Sequence, residues 1–205
     1  MSDTAHQTRI VAIQEALGDM GTVDGWLFYD FRGSDPLAYR VLLLDPTQHV
    51  TRRWYYWIPT RGEPVKLLHR IEPHVLDELP GQVQQYVSWE HQHTILASLL
   101  RGRQRIVMQY SPFNAVPYLS RVDAGTVELI RSFGLEVSTS ADLVQRFEAV
   151  WTDAQLESHR YAVTALRNIV DEAFAHVASC VTNERRLSEY DLQQFILSRI
   201  RDAGM

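Results

Sequence analysis

GWLFYDFRGSDP, residues 25–36, opens with four large apolar side chains in a row, Trp26 to Tyr29, and then breaks at Arg32, Gly33, Ser34, Asp35 and Pro36. An apolar run without polar alternation is what a strand covered on both faces carries. A sheet with two covered faces needs helices on both sides, so helical and strand patterns should alternate along the chain. Upstream, Ile10, Ile13, Leu17 and Met20 recur at helical spacing from about Thr8 and stop at Gly21. This predicts an amphipathic opening helix.

Downstream, Arg53 to Ile58 is an aromatic-rich strand pattern, and Thr60 to Glu63 reads as a hairpin connection into a second run, Val65 to His69. Leu76 to Val87 shows only weak patterning, whereas Trp89 to Leu100 suits a helix closed near Gly102. Arg105 to Tyr110 reads as strand, and a polar, proline-interrupted segment follows. Asp123 then caps a helix bearing Val127, Ile130 and Phe133, Leu135 to Val137 resumes as strand, and Ser140 or Thr139 caps a short helix through Val144 and Phe147. The order predicts an α/β domain over residues 1–150, with a mixed sheet flanked by helices.

From Trp151 the pattern changes. Thr152 to Gln155 is a capping box, and behind it Leu156, Val163, Leu166, Val170, Phe174, Val177 and Val181 step by threes and fours. A helix of about 27 residues would reach about 40 Å. Ser188 to Asp191 caps a second helix carrying Leu192, Phe195, Ile196 and Ile200, with Gly204 at its end. Residues 151–205 therefore form two long helices with no sheet of their own.

Composition narrows the functional classes. The 205 residues are 45% hydrophobic and 22% charged, as in an ordinary globular protein, and acids outnumber bases 25 to 20. With no basic excess, nucleic acid is excluded as a first expectation. The longest apolar runs, Val41 to Leu44 and Trp54 to Ile58, are far short of the ~20 residues a membrane span needs. The N-terminus has no signal-peptide pattern, so the expected location is the cytoplasm.

Few motifs point to chemistry. His91 and His93 on a helix would face about 200° apart and could not chelate one ion. Gly18, Gly21 and Gly25 precede the first strand, the wrong side for a dinucleotide loop. Cys180 has His176 four residues before it, a spacing that suits a packed thiol better than a nucleophile pair. Asp30, Glu72 and Asp123 are the carboxylates that a two-metal cluster would need, although capping already accounts for Asp123. Arg52 and Arg53 precede Trp54, Tyr55, Tyr56 and Trp57; alternate rings on a strand face opposite sides. Either all four pack in the core, or two do so while the others face a subunit interface or substrate cleft.

Four longer runs carry a resemblance. Residues 25–40 (GWLFYDFRGSDPLAYR), 51–72 (TRRWYYWIPTRGEPVKLLHRIE), 108–134 (MQYSPFNAVPYLSRVDAGTVELIRSFG) and 140–152 (SADLVQRFEAVWT) resemble the N-terminal part of Xaa-Pro peptidases of the creatinase and prolidase superfamily. Asp35 and Gln109 depart from it, standing where Asn and Glu are expected.

The resemblance implies a ribonuclease-H-like N-terminal domain followed by a pita-bread domain that holds two divalent metals, often manganese, through two Asp, one His and two Glu. On that expectation residues 151–205 are the first helices of an incomplete pita-bread domain, and no residue of this chain is a catalytic, cofactor-binding or metal-ligating one. The chain would be the non-catalytic portion of a proline-specific metallopeptidase, inactive alone. It would shape the cleft for short proline-containing peptides and support a homodimer. A stand-alone binding or scaffolding module, or the N-terminal half of a creatinase-like amidinohydrolase, are the alternatives. Candidates for facing the cleft or an interface are Asp30, Arg32 and Asp35 in the loop after the first strand, with Arg52, Arg53 and Trp54, because α/β sheets place ligands at the carboxyl ends of strands.

Overall fold

The computed structural model describes residues 2–205, with side chains from residue 4 onward. The chain divides into two compact units, Met1–Ala149 and Val150–Met205.

In the first unit six strands form one sheet among the described residues: β1 (Gly25–Asp30), β2 (Trp54–Pro59), β3 (Val65–His69), β4 (Gln82–Tyr86), β5 (Arg105–Met108) and β6 (Glu136–Thr139), in the order β4-β3-β2-β1-β5-β6. β2 runs antiparallel to both of its neighbours, and the other pairings are parallel. The sheet is therefore mixed, as expected. The amino end of β2 lies at the same edge as the carboxyl ends of β1, β3 and β4.

Period-two alternation sends side chains to two separate cores. Trp26 and Phe28 of β1 join Trp54, Tyr56 and Ile58 of β2 on one face, beneath α1 (Ser2–Met20), α2 (Pro36–Leu42) and α5 (Ala141–Glu148), through residues such as Ile13, Leu17, Val41 and Leu143. Leu27 and Tyr29 join Tyr55 and Trp57 on the other face, beneath α3 (Trp89–Leu99) and α4 (Ala124–Ser132), through Leu96, Val127 and Ile130. The unbroken apolar run at residues 26–29 has its explanation here: both faces of β1 are covered. All four rings of Trp54 to Trp57 are buried for the same reason. None is left for a cleft or a subunit interface.

Two elements depart from the sequence expectation. α2 occupies a stretch read only as a break followed by an apolar run. Proline at its first turn and the Asp35 cap start it: Asp35 Oδ1 accepts from the Leu37 and Ala38 amides at 3.0 and 3.1 Å. Seven residues are too few to show a periodicity. β4 lies in the weakly patterned stretch and reads Gln-Val-Gln-Gln-Tyr, with only Tyr86 buried, as an edge strand can. Before α5 it is Thr139 Oγ1 that accepts from the Ala141 amide, at 3.3 Å, while the Ser140 hydroxyl is buried without a partner.

The second unit is a helical hairpin of α6 (Asp153–Thr182) and α7 (Glu189–Asp202), each opened by a capping box, Thr152 with Gln155 and Ser188 with Asp191. Tyr161 near the start of α6 donates to the Ala203 carbonyl beyond the end of α7 at 2.7 Å, so the two helices run antiparallel. His176 stacks on Phe195 at 4.4 Å, and Arg199 pairs with Glu172 at 2.9 Å. Cys180 is buried, with its sulfur 3.9 Å from His176 Nε2. Among the described residues no helix is long and apolar enough to cross a membrane.

Candidate functional site

Where β1, β3 and β4 end and β2 begins, the first unit carries a cleft of about 520 Å³. Each wall comes from a strand end. Phe31 and Arg32 follow β1, Thr51 to Arg53 precede β2, His69 closes β3, and Tyr86 to Trp89 lead from β4 into α3, which adds Gln92. His69 and Tyr86 are register partners across β3 and β4, and their rings meet edge to face at 4.9 Å.

The cleft is cationic and aromatic. Arg32, Arg52 and Arg53 are exposed, and none of the three forms an ion pair among the described residues. The Arg53 guanidinium lies 5.6 Å from the centre of the Phe31 ring. The Glu72 carboxylate is occupied largely by backbone: it accepts from the Thr51 and Arg52 amides and from the Thr51 hydroxyl. Burial pushes the Glu72 carboxyl up, but those hydrogen bonds and the Arg52 charge outweigh it and hold the group below its usual range.

Tyr86 ties the back of the cleft together. Its hydroxyl donates to the Arg53 carbonyl at 2.7 Å, and burial pushes its pKa up to about 12 against a side-chain hydrogen bond from Gln92. A tyrosine has one proton, and Tyr86 spends it on Arg53. Gln92 Oε1 is buried without a hydrogen-bond partner.

Three of the six candidates meet here: Arg32, Arg52 and Arg53 all line the cleft. Asp30, Asp35 and Trp54 do not. Asp30 is fully buried, where it accepts from the Gly33 and Asp35 amides, each at 2.9 Å, and from the Tyr39 hydroxyl at 3.3 Å, folding the loop back on itself. Asp35 is fully buried as the α2 cap, and Trp54 packs edge-on to Tyr39 at 6.1 Å in the core. The sequence reading missed His69, Tyr86, Trp89 and Gln92, because placing them needs β4. The three-residue step from Trp89 to Gln92, just after the Ser88 cap, was the available signal.

The chain's carboxylates do not fit the metal set implied by the resemblance. Among the described residues no three His, Cys, Asp or Glu side chains are grouped to hold a metal. Glu72 is bound to backbone, and Asp123 Oδ1 accepts from the Thr126 amide at 2.9 Å as the α4 cap. Gln109 sits where Glu was expected and accepts from the Trp26 indole at 3.2 Å, a structural contact.

No protein-family profile and no curated protein matches the chain. Solved structures do. The prolidase from Thermococcus sibiricus is similar over 96% of this chain and 49% of its own, at 16% identity and a TM-score of 0.57. The dipeptidase PepE from Mycobacterium ulcerans is similar over 99% of this chain and 51% of its own, at 16% identity and a TM-score of 0.55. A proline dipeptidase from Streptococcus pneumoniae is similar over 69% of this chain and 98% of its own, at 15% identity and a TM-score of 0.50. The chain thus spans about half the length of the first two and nearly all of the third. At this identity the likeness establishes the fold alone: the chain is folded as about half of the Thermococcus sibiricus prolidase and of the Mycobacterium ulcerans dipeptidase are.

Proposed function

We propose that this chain is the non-catalytic N-terminal portion of a proline-specific metallopeptidase, and that it shapes the substrate cleft for short peptides. The observation that carries the reading is a shared fold running through nearly the whole chain and only half of each longer peptidase. On this reading the two divalent metals, manganese by expectation, are held by residues of the longer protein. On this reading the protein works in the cytoplasm as a homodimer, and Arg32, Arg52 and Arg53 face the peptide.

The test is turnover. The 205-residue chain, supplied with Mn²⁺ and an Xaa-Pro dipeptide, is expected to release no proline. A polypeptide translated from the full reading frame is expected to release it in a Mn²⁺-dependent manner. Proline release by the 205 residues alone, or none by the longer polypeptide, overturns the reading. Sedimentation of the longer polypeptide as a monomer overturns the dimer.

A further inference from the structure

β4 ends the sheet on one side, and its outer edge is open. The Gln82 amide donates to the Pro64 carbonyl at 3.0 Å, and the Tyr86 carbonyl accepts from the Arg70 amide at 2.9 Å, so the even-numbered residues of the strand turn their backbone groups toward β3. Val83 and Gln85 therefore turn theirs outward, where the sheet has no further strand among the described residues. Edge strands are ordinarily guarded against pairing by a charge, a proline or a bulge. β4 reads Gln-Val-Gln-Gln-Tyr, with no charge and no proline, and its register with β3 runs unbroken by a bulge. The opposite edge, β6, carries Glu136, paired with Arg105 at 2.8 Å. Val83, 48% exposed, stands on the open edge on the face opposite Tyr86.

The geometry points to a second copy of this chain as the occupant of that edge: two β4 strands pair antiparallel about a two-fold axis at Gln84 and join the two sheets into one. In that register Val83 lies directly opposite the partner's Gln85, each exchanging its outward N–H and C=O with the other, and the axis repeats the exchange. Parity selects the register: outward residues must oppose outward residues, and an axis at Gln84 uses both. The two Val83 side chains become diagonal neighbours on one face, and the two Gln84 amides stand opposite on the other, so no like charges are brought together. A two-fold axis requires a surface that complements itself, and an uncharged strand with an outward residue on each side of its midpoint is one. This names the contact of the homodimer proposed above; it rests on that dimer and not on the peptidase chemistry.

The experiment follows sedimentation and amide hydrogen exchange of the 205-residue chain across a range of concentrations. A monomer–dimer equilibrium is expected, with exchange slowing at Val83 and Gln85 as concentration rises while Gln82 and Gln84, already turned to β3, change little. Val83→Lys sets like charges side by side across the axis and should weaken the dimer about fivefold or more. Mixing Val83→Lys with Val83→Glu should recover association as a heterodimer. Gln85→Pro removes the outward donor, spares the pairing with β3 and should weaken the dimer about tenfold. Val116→Lys, in the loop after β5, should leave it unchanged. A chain that stays monomeric at millimolar concentration, exchange at Val83 and Gln85 that ignores concentration, or a dimer that Val83→Lys leaves intact each overturns the proposal. The last of these leaves the homodimer standing on another surface, and none of them bears on proline release. Exchange in the unaltered chain decides the question even if Gln85→Pro does not fold.

Discussion

The carboxyl group of Asp35 caps α2 through Oδ1 and leaves Oδ2 buried without a partner. Burial pushes its pKa up to about 7; the Ala38 and Leu37 amides and the Arg121 charge pull it down, and the Asp30 charge adds to the rise. Asp30 in turn holds the Tyr39 hydroxyl, whose own pKa burial and the Asp30 charge raise to about 12. Between the ordinary value of 3.8 and about 7 the folded chain keeps a proton that the unfolded chain has lost, so stability falls as pH rises through that window. Asp35→Asn keeps the cap and removes the charge. It should raise the melting temperature at pH 8, by on the order of 1–2 kcal/mol of stability, and change little at pH 4. A thermal melt at the two pH values reads it. The sequence exposed the Asp-Pro helix start in its letters, but the burial of this carboxylate depends on Asp30 and α2 packing together, which one residue's neighbours in sequence do not reveal.

At the scale of elements, patterned segments were legible and short or polar ones were not. α1, α3, α4, α6 and α7 have a turn or more of apolar spacing and a capping or stop residue, and each was predicted. β4 carries little hydrophobic signal because its place is set by pairing with β3 in register from Val65 with Gln82 to His69 with Tyr86. Its entry is fixed at Gly81, where φ is +114° and an added Cβ would collide with the Pro64 carbonyl. Gly81→Ala should cost about 1–3 kcal/mol, measured as a lower urea midpoint. The face assignment of Trp54 to Trp57 was open in the sequence for a related reason: alternation shows that two rings face each way, and only the second layer of helices shows that both sides are core.

For the whole molecule, the interleaved order of patterns carried the layered α/β architecture, while the cleft was legible only in its three arginines. Its other members arrive from strands whose adjacency is a tertiary fact. The first unit holds both apolar cores of the sheet, and the second is a hairpin of two helices. Met1–Ala149 made on its own should keep the near-ultraviolet circular dichroism of Trp26, Trp54 and Trp57 and melt cooperatively; a flat near-ultraviolet spectrum would show that its core needs the second unit. Cys180 gives the hairpin an intrinsic clock. It is the chain's one sulfhydryl and it is shut away in α6, so a thiol-specific dye can react only in the moments when the surrounding packing parts. The labelling half-life of the unaltered protein thereby reports how often that helix pair breathes, with no engineered probe and no background signal from the sheet.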